Sequence, residues 1–244
     1  MVESLGVRVR PIESAVPMGW NVREGEVLDI AACVGLHDED GEVAELGLMG
    51  CEDGLRVVDR GCELGIYLPV LGEPVLRLGD ELLIGNTRLR LVTAREAADQ
   101  DPSYQETVVE ADTMPLDSTR HYSMRPCLSI QSRFGGPSTV IELPEGETII
   151  GGDDGDVVIV DDPHISAEHV RLVASDFGVR IEDLGSVEGT FRRARFGEVV
   201  PLGHPMVVGQ MMLTSERVQP TAYPVLSTDS HATRPRRTVY ALPA

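Results

Sequence analysis

Ser166 and His169 stand three residues apart in a chain rich in aspartate, and a hydroxyl, an imidazole and a carboxylate are the parts of a nucleophilic hydrolase. The surrounding residues argue against that chemistry. No Gly-x-Ser-x-Gly turn lifts a serine onto a strand-to-helix elbow. A loop serine is more often a hydroxyl that caps a turn. The acidic run Gly152-Asp153-Asp154-Gly155-Asp156 has the composition of a calcium loop, but it lacks the alternating ligands and closing glutamate of an EF-hand and reads as a solvated turn. Cys33, Cys51, Cys62 and Cys127 show neither Cys-x-x-Cys spacing nor clustered histidines, so they read as free buried thiols in a reducing cytosol. The residues therefore predict a non-enzymatic protein with no metal and no cofactor.

The elements that position Ser166 and His169 are strands. From Gly151 to Phe191, short β-branched runs such as Val157-Val158-Ile159-Val160 alternate with Gly, Asp and Pro turns, which describes strands joined by loops. The motifs fall in order: a Gly151-Gly152 pair, Ser166-Ala167-Glu168-His169, then Asp183-Leu184-Gly185-Ser186-Val187-Glu188-Gly189-Thr190-Phe191. This stretch resembles a forkhead-associated (FHA) domain, a β-sandwich whose loops bind phosphothreonine peptides. The resemblance matches Gly151 to the glycine of the family's Gly-Arg, Ser166 and His169 to its Ser-x-x-His, and Ser186, Gly189, Thr190 and Phe191 to its Ser-x-Asn-Gly-Thr-Phe-like turn. It implies that Ser166 and Ser186 donate hydrogen bonds to phosphate, that Thr190 braces the turn, and that Gly151, His169 and Gly189 support the loops. Four residues depart from the pattern: Gly152 stands where the family has its phosphate-binding Arg, Ala167 and Glu168 stand where a basic residue is common, and Glu188 replaces the peptide-gripping Asn.

A second copy lies upstream. Shifting residues 54–89 by 124 places Arg56 on Arg180, Asp59 on Asp183, Gly61 on Gly185, Gly65 on Gly189, Val75 on Val199, Gly79 on Gly203, Gly85 on Gly209 and Leu89 on Leu213, with no gap. Half of these are turn glycines, which mark positions of unusual backbone angle. The expected fold is thus all-β: two tandem FHA-like sandwiches over 1–96 and 125–217, a linker over 97–124, and a disordered Pro/Ser/Thr-rich tail over 218–244. At the same shift, Ser166 falls on Glu42, His169 on Glu45, Ser186 on Cys62 and Thr190 on Ile66. The first copy keeps the scaffold and loses the site.

Bulk properties narrow the partners. A net charge of −19 over 244 residues disfavours nucleic acid and anionic membrane surfaces. No run reaches the roughly 18–20 apolar residues of a membrane span, and the N-terminus shows no secretory signal, so a cytoplasmic location is expected. Partners are then proteins, including phosphothreonine-containing ones. Neutral serine donors contribute about 0.5–1.5 kcal/mol each, whereas the missing Arg would have made contacts roughly twice as strong. Arg192 and Arg193, directly after Phe191, are the candidate substitutes for it. Thr107, in Gln105-Glu106-Thr107, and Thr238, after Arg236-Arg237, are candidate phosphorylation sites whose docking into the second copy would give self-association through linker or tail. The expected function is an adaptor in Ser/Thr-kinase signalling. The alternative is a structural subunit of a multiprotein assembly, of the secretion-machine type, whose FHA modules make phosphate-independent contacts.

Overall fold

The computed structural model describes residues 6–12, 19–33, 46–100 and 126–218. Thr107, Thr238, most of the expected linker, the tail beyond Val218, and positions 42 and 45 lie outside the described residues. Alternating burial marks many of the strands. In Val170–Ser175, for example, Val170, Leu172 and Ala174 point inward while Arg171 and Val173 are half-buried.

The strands of the first repeat are β1 Gly6–Pro11, β2 Trp20–Arg23, β3 Val27–Asp29, β4 Leu46–Cys51, β5 Gly54–Asp59, β6 Ile66–Pro69, β7 Val75–Leu76, β8 Glu81–Ile84 and β9 Thr87–Val92. Those of the second are β10 Cys127–Ser132, β11 Ser138–Glu142, β12 Gly146–Gly151, β13 Val157–Val158, β14 Val170–Ser175, β15 Gly178–Asp183, β16 Thr190–Arg193, β17 Val199–Val200, β18 Pro205–Val208 and β19 Met211–Val218. Among the described residues the fold is all-β apart from two short helices, α1 Ile30–Cys33 and α2 Ala94–Gln100. The run at 157–160 extends as strand only over its first two residues, and Val160 is exposed.

The chain forms two compact units, and they do not follow the linear division into 1–96 and 125–217. One takes the described residues up to Leu68 together with those from Ala194 on, and the other takes Pro69–Arg193. In the first unit β6, β18, β19, β1 and β2 form one antiparallel sheet, and β17, β5, β4 and β3 another. In the second unit the sheets are β16-β8-β9-β10-β11 and β13-β12-β14-β15-β7. The plans are the same, but the last three strands of each repeat are exchanged: β7–β9 complete the second repeat's body and β17–β19 complete the first's. The physical reason is core and edge complementation. Val200, Met206, Val208 and Leu213 sit in one buried cluster with Val7, Leu46 and Leu55, while Leu76, Leu82, Ile84, Leu89 and Leu91 sit in the other with Leu128, Ile150 and Val170.

Residues 97–100, expected as linker, are the end of α2. Thr93 and Glu96 make a capping box: the Glu96 N–H donates to Thr93 Oγ1 at 3.2 Å and the Thr93 N–H donates to Glu96 Oε2 at 2.9 Å. Ala97 is buried in a small cluster with Val92, Cys127 and Val140. None of the four cysteines is in a disulfide; Cys127 is buried, and the other three are half-buried rather than buried as expected. Among the described residues no helix is long and apolar enough to cross a membrane.

The exchange makes a direct expectation. Leu89 belongs to the first repeat by sequence and to the second unit's core by packing. Leu89→Ala should cost about 2–5 kcal/mol, and amide hydrogen exchange should accelerate in β14 and β15 while β4 and β5 keep their protection.

Candidate functional site: the loops carried by β12, β14, β15 and β16

Strands β12 and β14 deliver Gly151 and His169 to the loop end of the second unit, and the β15–β16 turn delivers Asp183 to Thr190. Gly151 leaves no room for a side chain: a Cβ would lie 1.7 Å from the Ala167 carbonyl oxygen. The Gly152 N–H donates to the Ser166 carbonyl at 2.8 Å and the Asp154 N–H to the Ala167 carbonyl at 3.0 Å, which holds the Ser166 loop down onto the end of β12.

His169 joins this loop to the next turn. It is fully buried. Its Nδ1 accepts the Ser166 backbone N–H at 3.1 Å, and its Nε2 lies 3.2 Å from the Gly189 carbonyl oxygen, to which it donates. Burial pushes the imidazole pKa below its ordinary value, outweighing the Gly189 hydrogen bond and the Asp183, Asp162 and Glu188 charges that raise it. The ring is therefore the neutral Nε2–H tautomer, with both nitrogens committed to backbone groups. Through these two hydrogen bonds the ring ties the Ser166 loop to the Gly189 turn.

Asp183 organises the turn. Its Oδ1 accepts the Gly185 and Ser186 N–H groups at 2.9 and 3.0 Å. Its Oδ2 accepts the Ser186 and Thr190 hydroxyls at 2.7 and 2.6 Å. Burial raises the Asp183 pKa, but the Thr190 and Ser186 hydrogen bonds prevail and hold it below the ordinary carboxylate value. Asp59 in the first repeat likewise accepts the Gly61 and Cys62 N–H groups at 2.9 Å each, and Cys62 and Ile66 stand at the positions of Ser186 and Thr190.

The sequence-predicted residues thus meet unequally. Ser166, His169, Ser186, Gly189 and Thr190 share one hydrogen-bonded network, closed by the Val187 N–H donating to Ser166 Oγ at 3.0 Å. The Ser186 hydroxyl proton is spent on Asp183, while Ser166 keeps its own. Arg192 and Arg193 lie on strand β16, and the Arg193 guanidinium is 3.7 Å from Glu81, itself buried. At Gly152, the position of the family's Arg, a Cβ would lie 2.6 Å from the Ile165 carbonyl oxygen. Glu188, at the Asn position, contacts His164 Nδ1 at 2.5 Å.

Two contributors were given no role by the sequence reading. Asp183 was visible as the partner of Asp59 in the repeat register. Asp162 carried no signal beyond its turn. It is buried, and it accepts the Asn86 N–H at 2.7 Å, the Thr87 hydroxyl at 2.8 Å and the His164 N–H at 3.1 Å. The Gly85-Asn86 turn, from the first repeat, thereby supports the loop that carries Ser166. Gly85 has φ +53°, and a Cβ there would lie 2.9 Å from His164 Cβ.

Residues 148–208 match the FHA domain family model, so the chain carries an FHA domain, a module of protein–protein interaction. The match runs across Arg193 and Ala194 and so spans residues of both compact units. Similar solved structures include the FHA domain of CT664 protein from Chlamydia trachomatis, at 26% identity over 33% of this chain and 85% of that one with a TM-score of 0.21. Another is the cytoplasmic domain of the T3SS sorting platform protein PscD from P. aeruginosa, at 20% identity over 41% of this chain and 90% of that one with a TM-score of 0.19. No curated protein matches the chain.

The neutral, buried His169 predicts acid sensitivity. Its folded pKa lies below the ordinary value of about 6.5, so the unfolded chain binds the proton first. The stability is complete above that value and is lost as pH falls from it toward the folded pKa. Asp183 acts in the same direction at lower pH. In urea titrations followed by circular dichroism, stability should be level from pH 8 to 7 and decline below about 6.5. His169→Ala should lose about 3 kcal/mol at pH 7.5, since it leaves the Ser166 N–H and the Gly189 carbonyl unpaired, and should flatten the decline between pH 6.5 and 5.

Proposed function

We propose that this protein is a non-enzymatic adaptor whose second-repeat loops, 160–169 and 184–190, dock protein partners without requiring phosphate, as a subunit of a multiprotein assembly. One observation carries the reading: the loops are braced in full by His169 and Asp183, yet Gly152 has no room for the side chain that would grip a phosphate. The surface left at the loop tips suits apolar contact, since Val187 is 91% exposed and Val160 77% exposed. Glu188 adds carboxylate at the same rim, and like charge opposes a phosphate group. A phosphothreonine reader in Ser/Thr-kinase signalling is the second reading, favoured by the Ser166 hydroxyl: it accepts from Val187 and still has its own proton to donate. Thr107 and Thr238 would be the ligands of such a reader in a self-associating version.

The test is an oriented peptide library presented to the full chain in phosphothreonine and unmodified forms. The expected result is no preference for phosphate, with any peptide binding weakened at least tenfold by Val187→Asp. Gly152→Arg should lower stability and create no phosphate preference. Selective phosphothreonine binding that disappears in Ser166→Ala would overturn the proposal in favour of the second reading.

A further inference from the structure

The two units share one pairing plan, in which the pairing of β1 with β19 in one has its counterpart in the pairing of β10 with β9 in the other. On the edge strand of the first unit's body, Arg8 of β1 faces Glu216 and Arg10 faces Thr214, both on β19. The counterparts in the second unit are Cys127 facing Val92 and Ser129 facing Arg90. Residues of β19 and β9 correspond by the same shift of 124 in both registers.

Exchanging β9 and β19, so that each repeat kept its own strands, rewrites these pairs. Arg10 would face Arg90, where like charges oppose each other directly. Arg8 would lose Glu216 and face Val92, and Arg10 would also lose its 3.9 Å approach to Glu216. Buried Cys127 would face Glu216. Helix α2 travels with β9, so Ala97 and Val92 would leave the apolar positions Cys127 and Val140 and land on Arg8. At the hairpin, the residue corresponding to Thr87 is Met211, which has no hydroxyl to donate to Asp162. Charge, apolar burial and hydrogen bonding all oppose the linear arrangement.

We infer that these pairs are a recognition code. The edge of β10 is a docking surface specific for residues 81–100, and the edge of β1 is specific for residues 205–218. The partner each edge fits is the other repeat of the same chain. The FHA domain of this protein is therefore completed by strands of its neighbouring repeat, and Asn86 and Thr87 of that neighbour are permanent parts of the loop support.

Two double-cysteine variants of the full chain separate the arrangements. Arg10→Cys with Thr214→Cys places thiols on facing residues in the exchanged pairing, and Arg10→Cys with Arg90→Cys does so in the linear one. Each is treated with dibromobimane, which bridges closely spaced thiols, and the bridge is located by peptide mass spectrometry. The expected result is bridging of 10 to 214 at monomer mass, at least tenfold above bridging of 10 to 90. Preferential bridging of 10 to 90, bridging of 10 to 214 only at dimer mass, or no bridge in either variant would overturn the inference. Arg90→Glu gives an independent reading: it would face Arg10 in the linear arrangement and raise the melting temperature. In the exchanged arrangement it faces Ser129, and the melting temperature does not rise.

Discussion

A β-sheet edge presents a row of unpaired amide and carbonyl groups, and the fold of this chain is governed by how those edges are closed. Each repeat, read from its start to the strand after its Asp turn, supplies β-strands with open edges at β1 and β5 or at β10 and β15. Three further strands must pair both edges, one strand on one sheet and a hairpin on the other. The core is incomplete until they do, because Leu76, Leu82, Leu89 and Leu91 in one unit, and Val200, Met206 and Leu213 in the other, fill the space between the sheets. Backbone pairing and apolar burial therefore depend on the same segment. That coupling lets the exchange of one segment rearrange the whole fold without changing its plan.

The site inherits this dependence. The Ser166 loop is fastened at three points: to the β12 end through Gly152 and Asp154, to the Gly189 turn through His169, and to the β8–β9 hairpin through Asp162. The first two belong to the second repeat and the third to the first. A degenerate first repeat, which lacks the hydroxyls at 62 and 66, still contributes to the loop architecture through the backbone of Asn86 and the hydroxyl of Thr87. Loss of a site in one copy and retention of its scaffold are compatible because the scaffold serves both units.

Much of this was legible before any coordinates. Turn glycines in an ungapped register of 124 located the repeat, and positive φ at Gly61, Gly65, Gly185 and Gly189 explains why glycine stands there. The Ser-x-x-His and Gly-Thr-Phe motifs located the loops. The exchange was not legible along either repeat alone, because the two β7–β9 and β17–β19 segments share the pattern that makes them strands. Only their differences carry the information, in pairs such as Arg10 with Thr214 against Ser129 with Arg90, and a cross-strand pair is invisible until both strands are placed. Helix α2 was missed because its apolar face is small; its capping box, Thr93 to Glu96, was the available signal.

The change at Gly152 is more than the loss of one cation. In a site that had only lost its Arg, the position would still accommodate a Cβ. Here the Ile165 carbonyl occupies that space and the Ser166 carbonyl takes the Gly152 N–H, so the loop has settled against a backbone that presents no side chain. Glu188 and His164 contact each other across the same rim. These features are mutually consistent with a loop end held rigid for its shape. A buried neutral imidazole and a carboxylate accepting four hydrogen bonds form a costly framework to leave half-satisfied, since each unpaired group buried there would cost about 1–3 kcal/mol. The four hydrogen bonds that Asp183 accepts and the two backbone groups that His169 engages satisfy that framework, so the shape of this loop end is set by its own bracing before any partner arrives.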